Sequence, residues 1–199
     1  MPVAARIPRE RTREREATRT MLDSAAPNPH ARALLLGALA TLGLTAAHHA
    51  YGGIRYDTPW RLHGAVVAVG MSPALLALYF TYRRRPSSPA GRAAGWALAG
   101  AVLAFPVLVI GAFEGVYNHL AKDALFLAGA PRGLLLHMFP PPKYELPNDA
   151  WFEISGVLQV FPAAFAGLAS LRFARALRAG RRRIHPLGYG VADEGGTTS

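Results

Sequence analysis

Four stretches of this 199-residue chain are long enough and apolar enough to cross a lipid bilayer, and none carries a charge in its central part. A hydrocarbon core about 30 Å thick is spanned by roughly 20 residues of α-helix. In lipid the backbone must satisfy its own hydrogen bonds, so runs of this kind are expected to be helices. The sequence therefore predicts an all-α integral membrane protein whose spans lie at about residues 33–50, 64–82, 93–117 and 150–171.

The distribution of arginine and lysine predicts the orientation of these spans. Three segments hold 17 of the 22 basic residues: the one before the first span, the connection between the second and third spans, and the tail after the fourth. Basic segments stay on the cytoplasmic side during insertion. We therefore expect both termini in the cytoplasm and an antiparallel four-helix bundle. The Ala-, Arg- and Gly-rich composition is typical of a high-GC bacterial genome, so the expected location is a cell inner (plasma) membrane.

The net charge of +10 follows from the same topology. Basic segments at the cytoplasmic face attract anionic lipid headgroups, and this accounts for the charge without a nucleic-acid partner. The chain has no cysteine, which excludes disulfides and thiolate metal sites. The bilayer is thus the expected partner, and the sequence identifies no protein partner.

The chain is predicted to divide into three parts. Residues 1–30 form a basic cytoplasmic segment, disordered or partly helical; residues 31–175 form the bundle; residues 176–199 form a basic tail, disordered at its end. A long outer loop at 118–149 is expected to carry a short interfacial helix within its apolar residues, 120–139, and to cover the outer end of the bundle. A cleaved signal peptide ending near Ala47 is the alternative for the first span, although its basic lead is longer than usual.

All four spans carry an ionisable residue at their outer ends. His48 ends the first span, His63 begins the second, Glu114 lies near the end of the third and Glu153 begins the fourth. Such residues are costly inside a span and usually face the bundle interior or water. We predict these four side chains as metal ligands. Three residues are expected to support these ligands: Tyr117, Asn118 and Asp57. Two histidines are reserve ligands: His49 and His119.

Imidazole and carboxylate together suit copper, zinc or iron, and two facing histidines would suit haem b. The predicted role is metal handling or redox chemistry. Ideal α-helical geometry places His48 and His49 about 100° apart, which prevents them from pointing the same way. The same geometry places His119 about 140° from Glu114, towards the lipid headgroups.

Three other interpretations remain open at this stage. Glu114 could pair with Arg55, Arg61 or a histidine in a purely structural contact. The outer end could instead form a pocket for a lipid or other small molecule, with Glu114 in acid–base chemistry. The chain could also be a non-enzymatic accessory or structural subunit. No serine-nucleophile motif or nucleotide-binding loop is present, and whether the protein is an enzyme stays undecided.

Overall fold

The computed structural model describes residues 28–184, with side chains to residue 179. All regular structure in this range is helical. In chain order the elements are α1 (Pro29–Arg55), a short 3₁₀ helix (Pro59–Arg61), α2 (Leu62–Arg84), α3 (Pro89–Val102), a π-helix (Leu103–Ala121), α4 (Lys122–Leu127), α5 (Arg132–Met138), α6 (Ala150–Leu158) and α7 (Val160–Ile184).

Four helical stretches are long and apolar enough to cross a membrane, which confirms the all-helical prediction for residues 28–184. They are Pro29–Arg55, Pro59–Arg84, Pro89–Leu127 and Ala150–Ala179. Each is longer than predicted. The third differs most, because the π-helix and α4 continue it to Leu127. Of the loop's apolar residues, those up to Leu127 form the end of this long helix, and α5 is the separate short helix expected in the loop.

Three helices begin at a side chain that caps the first turn. Asn28, Ser88 and Asp149 each accept a backbone N–H from two or three residues later, at 3.0 Å in every case. Such caps satisfy donors that the helix itself leaves unpaired. Proline follows the cap in α1 and α3, where its missing N–H costs nothing. The sequence therefore fixes where these helices start.

Two prolines explain where the long helices change their winding. Residue 106 is proline, so the carbonyl of Val102 has no N–H donor four residues later. The α-helix ends at Val102, and the chain continues as a π-helix with i→i+5 hydrogen bonds. Pro162 likewise leaves the carbonyl of Leu158 without an N–H donor four residues later. α6 ends at Leu158, and one residue separates it from α7. The π-helix contains Glu114, Asn118 and His119, and α6 contains Glu153 and Ser155, all of which are described below.

The long helices contact one another along their lengths. α1 packs against α2 and α7, α3 packs against the same two helices, and the π-helix packs against α6 and α7. Their shared interior is apolar at one end, with side chains that are fully buried, such as Leu34, Leu75, Leu98 and Phe173. Large apolar side chains such as Val66 (68% exposed) and Phe161 (67% exposed) point outwards. Outward apolar faces of this kind suit contact with lipid.

The predicted cytoplasmic segment at 1–30 lies almost entirely outside the described residues, as does the end of the basic tail. Residues 176–184 of that tail continue α7 as helix. The proposed division of the chain at residue 175 therefore does not coincide with the end of a helix.

Candidate metal centre

Three imidazole rings surround one carboxylate oxygen of Glu114. Its Oε1 lies 3.7 Å from Nε2 of His48, 3.8 Å from Nε2 of His49 and 3.6 Å from Nε2 of His119. These separations are too long for hydrogen bonds. Around a tetrahedral ion with bonds near 2.0–2.2 Å, ligand atoms stand about 3.3–3.6 Å apart. One ligand atom each from His48, Glu114 and His119 lies within 4.8 Å of the others, as in a set that can share one ion.

His48 is held so that its Nε2 lone pair faces this group. The ring is 1% exposed and stacks on Phe152, with centroids 4.3 Å apart. Its Nδ1 lies 2.9 Å from the Ser155 hydroxyl, which in turn lies 3.0 Å from the Phe152 carbonyl. Because the hydroxyl donates its single hydrogen to that carbonyl, it accepts the Nδ1–H of His48. This assigns the tautomer in which Nε2 is free to bind a metal.

His119 is oriented by a buried carboxylate. Its Nδ1 donates to Glu153 at 2.6 Å, and Glu153 also accepts two hydrogen bonds from the Lys122 ammonium, at 2.8 and 3.0 Å. Lys122 is only 2% exposed and donates further to the Glu145 carbonyl. A carboxylate behind a metal-binding histidine fixes its tautomer and raises its basicity. Glu153, a predicted ligand, therefore holds the His119 ring and lies outside the group of His48, Glu114 and His119.

Glu114 is fixed through its other oxygen. The Asn118 amide donates to Oε2 at 2.8 Å, which leaves Oε1 directed at the three rings. Asn118 thus lies where the sequence predicts a supporting residue. No arginine pairs with Glu114 among residues 28–179, since Arg55 pairs with Asp149 at 2.9 Å and Arg61 lies 3.7 Å from Glu145.

The predicted direction of His119 is wrong, because the third span is not α-helical at this point. In a π-helix the i→i+5 hydrogen bond brings residues five apart close to the same face. Glu114 and His119 are five residues apart inside the π-helix, and His119 is buried, 2% exposed. His48 and His49 leave the helix in different directions, as expected, and their rings are nearly perpendicular at 88°. Even so, Nε2 of each ring lies within 3.8 Å of the same Glu114 oxygen.

The other predicted residues lie apart from this group. His63 is exposed, and its Nδ1 lies 2.9 Å from the carbonyl of Trp60 one turn earlier. The Tyr117 hydroxyl donates to the Met138 carbonyl at 3.2 Å, which ties the π-helix to α5. Asp57 occupies a turn with φ 50°, and the cavity beside Glu114 is lined by other residues. His63 is thus replaced in the group by His119, a reserve ligand.

Glycines make room for the rings of this group. A Cβ at Gly64 would lie 2.7 Å from Nδ1 of His49, and a Cβ at Gly156 would overlap the ring of His119. A Cβ at Gly52 would lie 2.5 Å from the Phe152 ring that stacks on His48. Ser155 and Lys122 also hold this group, and the sequence analysis does not predict either of them. The position of Lys122, one turn beyond His119 in an apolar stretch, is the sequence feature that could have indicated its role.

A cavity of about 100 Å³ opens beside Glu114. Lys143, Tyr144 and Glu145, which follow α5, line it together with the ends of the long helices. Five buried polar side-chain atoms find no hydrogen-bond partner among the described residues. Three of them belong to residues that line this cavity: Nε2 of His48, Nη1 of Arg61 and Oδ1 of Asn118. An unmet buried group costs about 1–3 kcal/mol, so such a concentration points to a ligand site.

Charged and aromatic residues near the end of α1 contact the loop before α6. Hydrogen bonds from the backbone of Phe152 and from the side chains of Tyr51 and Arg55 lower the pKa of the Asp149 carboxyl. Partial burial raises the pKa of Tyr56 to about 12, so its hydroxyl stays protonated and donates to Asn148 at 2.7 Å. The loop before α6 is therefore tied to the end of α1.

No protein-family model matches the sequence, and neither a curated protein nor a solved structure matches it.

Proposed function

We propose that this protein is a four-span membrane protein that holds a divalent transition metal at the outer end of an antiparallel four-helix bundle. His48, Glu114 and His119 are the proposed ligands, and His49 lies beside them without completing the set. Both termini are proposed to lie in the cytoplasm of a cell with an inner membrane, which places the metal towards the exterior. The exposed apolar faces of the long helices support the membrane location.

One observation carries the metal proposal. Glu114 Oε1 stands 3.6–3.8 Å from three imidazole Nε2 atoms without a hydrogen bond to any of them. The Nδ1 atoms of His48 and His119 are both occupied by partners behind the rings. A structural cluster would be expected to close these gaps to hydrogen-bond length. Ligand atoms of His48, Glu114 and His119 that lie within 4.8 Å of one another instead resemble a preformed metal site.

The donor set favours zinc or iron. Two histidines and one carboxylate with open positions form the ligand set of several catalytic zinc sites and of non-haem iron(II) sites. Imidazole also suits copper(II). Haem is disfavoured because the His48 and His119 rings stand only 4.7 Å apart, centroid to centroid, and the cavity is about 100 Å³. A porphyrin does not fit between those rings.

The same features favour a resident metal over a transported one. His48 and His119 are almost fully buried, and each is held by a partner that is itself hydrogen-bonded. Reorienting them to release an ion would break several buried hydrogen bonds. Coordination positions facing the cavity remain open to small molecules, so metal-dependent chemistry is the use that the arrangement favours.

The alternative is a structural polar cluster that joins the helices without an ion. The buried Lys122–Glu153 pair supports it, since this pair already connects α4 to α6. In that case His119 and His48 would serve only as hydrogen-bond partners of Glu153 and Ser155. The two proposals differ in metal content.

Elemental analysis of the protein purified in detergent distinguishes them. We expect about one zinc, iron or copper ion per chain, or saturable uptake of one added ion. Glu114→Gln keeps the size of the side chain but removes its charge, and it should reduce metal content to background. His119→Ala should do the same, because it removes a ligand atom.

His63→Ala and His137→Ala are the matched controls. Both residues are histidines beside the same end of the helices, and neither belongs to the group around Glu114. These variants should keep the full metal content. Equal metal binding by the wild type and Glu114→Gln, or a wild type that takes up no metal, would contradict the proposal.

A further inference from the structure

We infer that the cavity binds a small oxyanion, a carboxylate or a phosphate group, between the metal and Arg61. This inference rests on the proposed metal centre and names the class of ligand that the centre would act on. It does not follow from the metal ligands themselves. It follows from the residues on the other side of the same cavity.

Arg61 is a buried cation with a free hydrogen-bond donor. Its side chain is 5% exposed and is held among aromatic rings, with its guanidinium carbon 5.0 Å from the Tyr56 and Trp60 ring centroids and 5.4 Å from that of Phe152. Nη2 donates weakly to the Lys143 carbonyl at 3.5 Å and lies 3.7 Å from Glu145. Nη1 has no partner within the described chain, and Arg61 lines the cavity.

A guanidinium in this position is suited to bind an oxygen anion. Arginine is weakly hydrated, always charged and planar, and it stacks on aromatic rings while its N–H groups bind carboxylates or phosphates. The rings around Arg61 restrict its plane, so Nη1 has a fixed direction. The Arg61 guanidinium is therefore already ordered before a ligand binds.

The charge of the cavity supports an anionic occupant. Its lining includes the cations Arg61, Lys122 and Lys143, and the carboxylates Glu114 and Glu145. Glu153, behind the wall, balances Lys122. A divalent ion on Glu114 would leave the lining with an excess of positive charge. An oxyanion would reduce this excess and fill an open position on the metal.

Asn118 adds a third recognition point. Its amide nitrogen donates to Glu114, its Oδ1 is buried without a partner among the described residues, and Asn118 lines the cavity. This oxygen can accept a hydrogen bond from a hydroxyl group of the ligand or from water bound to the metal. The cavity thus offers a metal position, one cationic donor and one acceptor within about 100 Å³.

Cobalt-substituted protein in zwitterionic detergent provides the test. Cobalt(II) replaces zinc in nitrogen–oxygen sites, and its visible absorption changes when a ligand joins the ion. We expect acetate or inorganic phosphate to change the spectrum with saturation. Arg61→Gln should weaken the apparent affinity roughly tenfold or more without altering the cobalt content, and Arg61→Lys should retain part of it. Arg132→Gln, which alters an exposed arginine outside the cavity, should behave as the wild type.

A second arm identifies the source of the oxyanion. A spectral response to soluble acetate or phosphate supports a free ligand, whereas a response only to short-chain phosphatidic acid supports a lipid headgroup. Cobalt-loaded wild type that responds to none of these, or responds equally in Arg61→Gln, would overturn the inference while the metal centre stands. Wild type that takes up no cobalt would overturn both.

Discussion

At the scale of single residues, the site depends on which ring nitrogen each histidine leaves free. Ser155 and Glu153 occupy the Nδ1 atoms of His48 and His119, and this leaves both Nε2 atoms facing Glu114. Neither partner would bind the metal, yet each decides whether its histidine can. Gly156, beside the His119 ring, matters in the same way, because the space that it leaves is filled by that ring.

Gly156→Ala tests this dependence. A Cβ at Gly156 would overlap the His119 ring, so the ring must move away from Glu114. We expect metal affinity to fall about 10–100-fold, the range typical when the support of a ligand is disturbed. Competitive titration with a chelating dye measures it, and far-UV circular dichroism checks that the helices persist.

Gly100→Ala is the matched control for this variant. It makes the same change inside a helix, at a position where the added Cβ meets nothing within 4 Å. It should keep the affinity of the wild type. If Gly156→Ala also kept it, the ring of His119 would not be part of the metal site.

At the scale of secondary structure, the winding of the third long helix selects the residues that meet. The π-helix places Glu114 and His119 on one side, and Pro106 near its start explains why the α-helical pattern stops. π-helical segments are rare and often occur at functional sites. The break between α6 and α7 has a related cause in Pro162.

The start of α6 gives a prediction on pH. Asp149 accepts the Phe152 N–H at 3.0 Å and the Tyr51 and Arg55 side chains at 2.9 Å each, and these bonds lower its pKa in the folded state. A lowered folded pKa gives a stabilisation that is present above the unfolded pKa and is lost as the pH falls through the folded pKa. We expect the thermal midpoint of the wild type in detergent to fall at acidic pH, below the ordinary range of an aspartate.

Asp149→Asn isolates the charge in this prediction. Asparagine keeps the helix cap but cannot ionise. Its thermal midpoint should lie below that of the wild type at neutral pH, and the difference should shrink as the pH falls. Parallel midpoints for the two proteins across the acidic range would show that the ionised carboxylate does not stabilise the start of α6.

At the scale of the whole molecule, the two ends of the long helices differ in chemistry. One end is filled by buried apolar side chains such as Leu34 and Phe173, and the other holds the histidine–carboxylate group and its cavity. In the proposed orientation the polar end faces outwards. The clusters of basic residues at the opposite connections support that orientation.

Reporter fusions test the orientation directly. A reporter inserted at Ser87, between α2 and α3, should give a cytoplasmic signal. A reporter inserted at Pro141, in the loop before α6, should give an exterior signal. Signals from the same side would rule out the proposed topology, and exchanged signals would place the metal centre towards the cytoplasm.

The helical spans could be predicted from the sequence because their cause is local. A run of apolar residues that matches the thickness of a bilayer has few structures available to it, and charges limit where it can end. The concentration of histidines and acidic residues near one end of the spans could be predicted for the same reason, since distance along a helix is proportional to residue number. His48, Glu114 and Asn118 were identified in this way.

Only the tertiary structure decided which side chains meet. The α-helical rotation of 100° per residue predicts that His119 points away from Glu114. The apolar pattern of the sequence does not show that this segment is a π-helix, so the prediction fails there. The positions of Glu153 and Arg61 depend on how α4, α6 and the loop after α5 pack together, and His63 is separated from Glu114 by the same packing. Residue number sets the depth of a group along a helix, but its direction depends on the winding and rotation of each helix, which contacts distant in sequence determine.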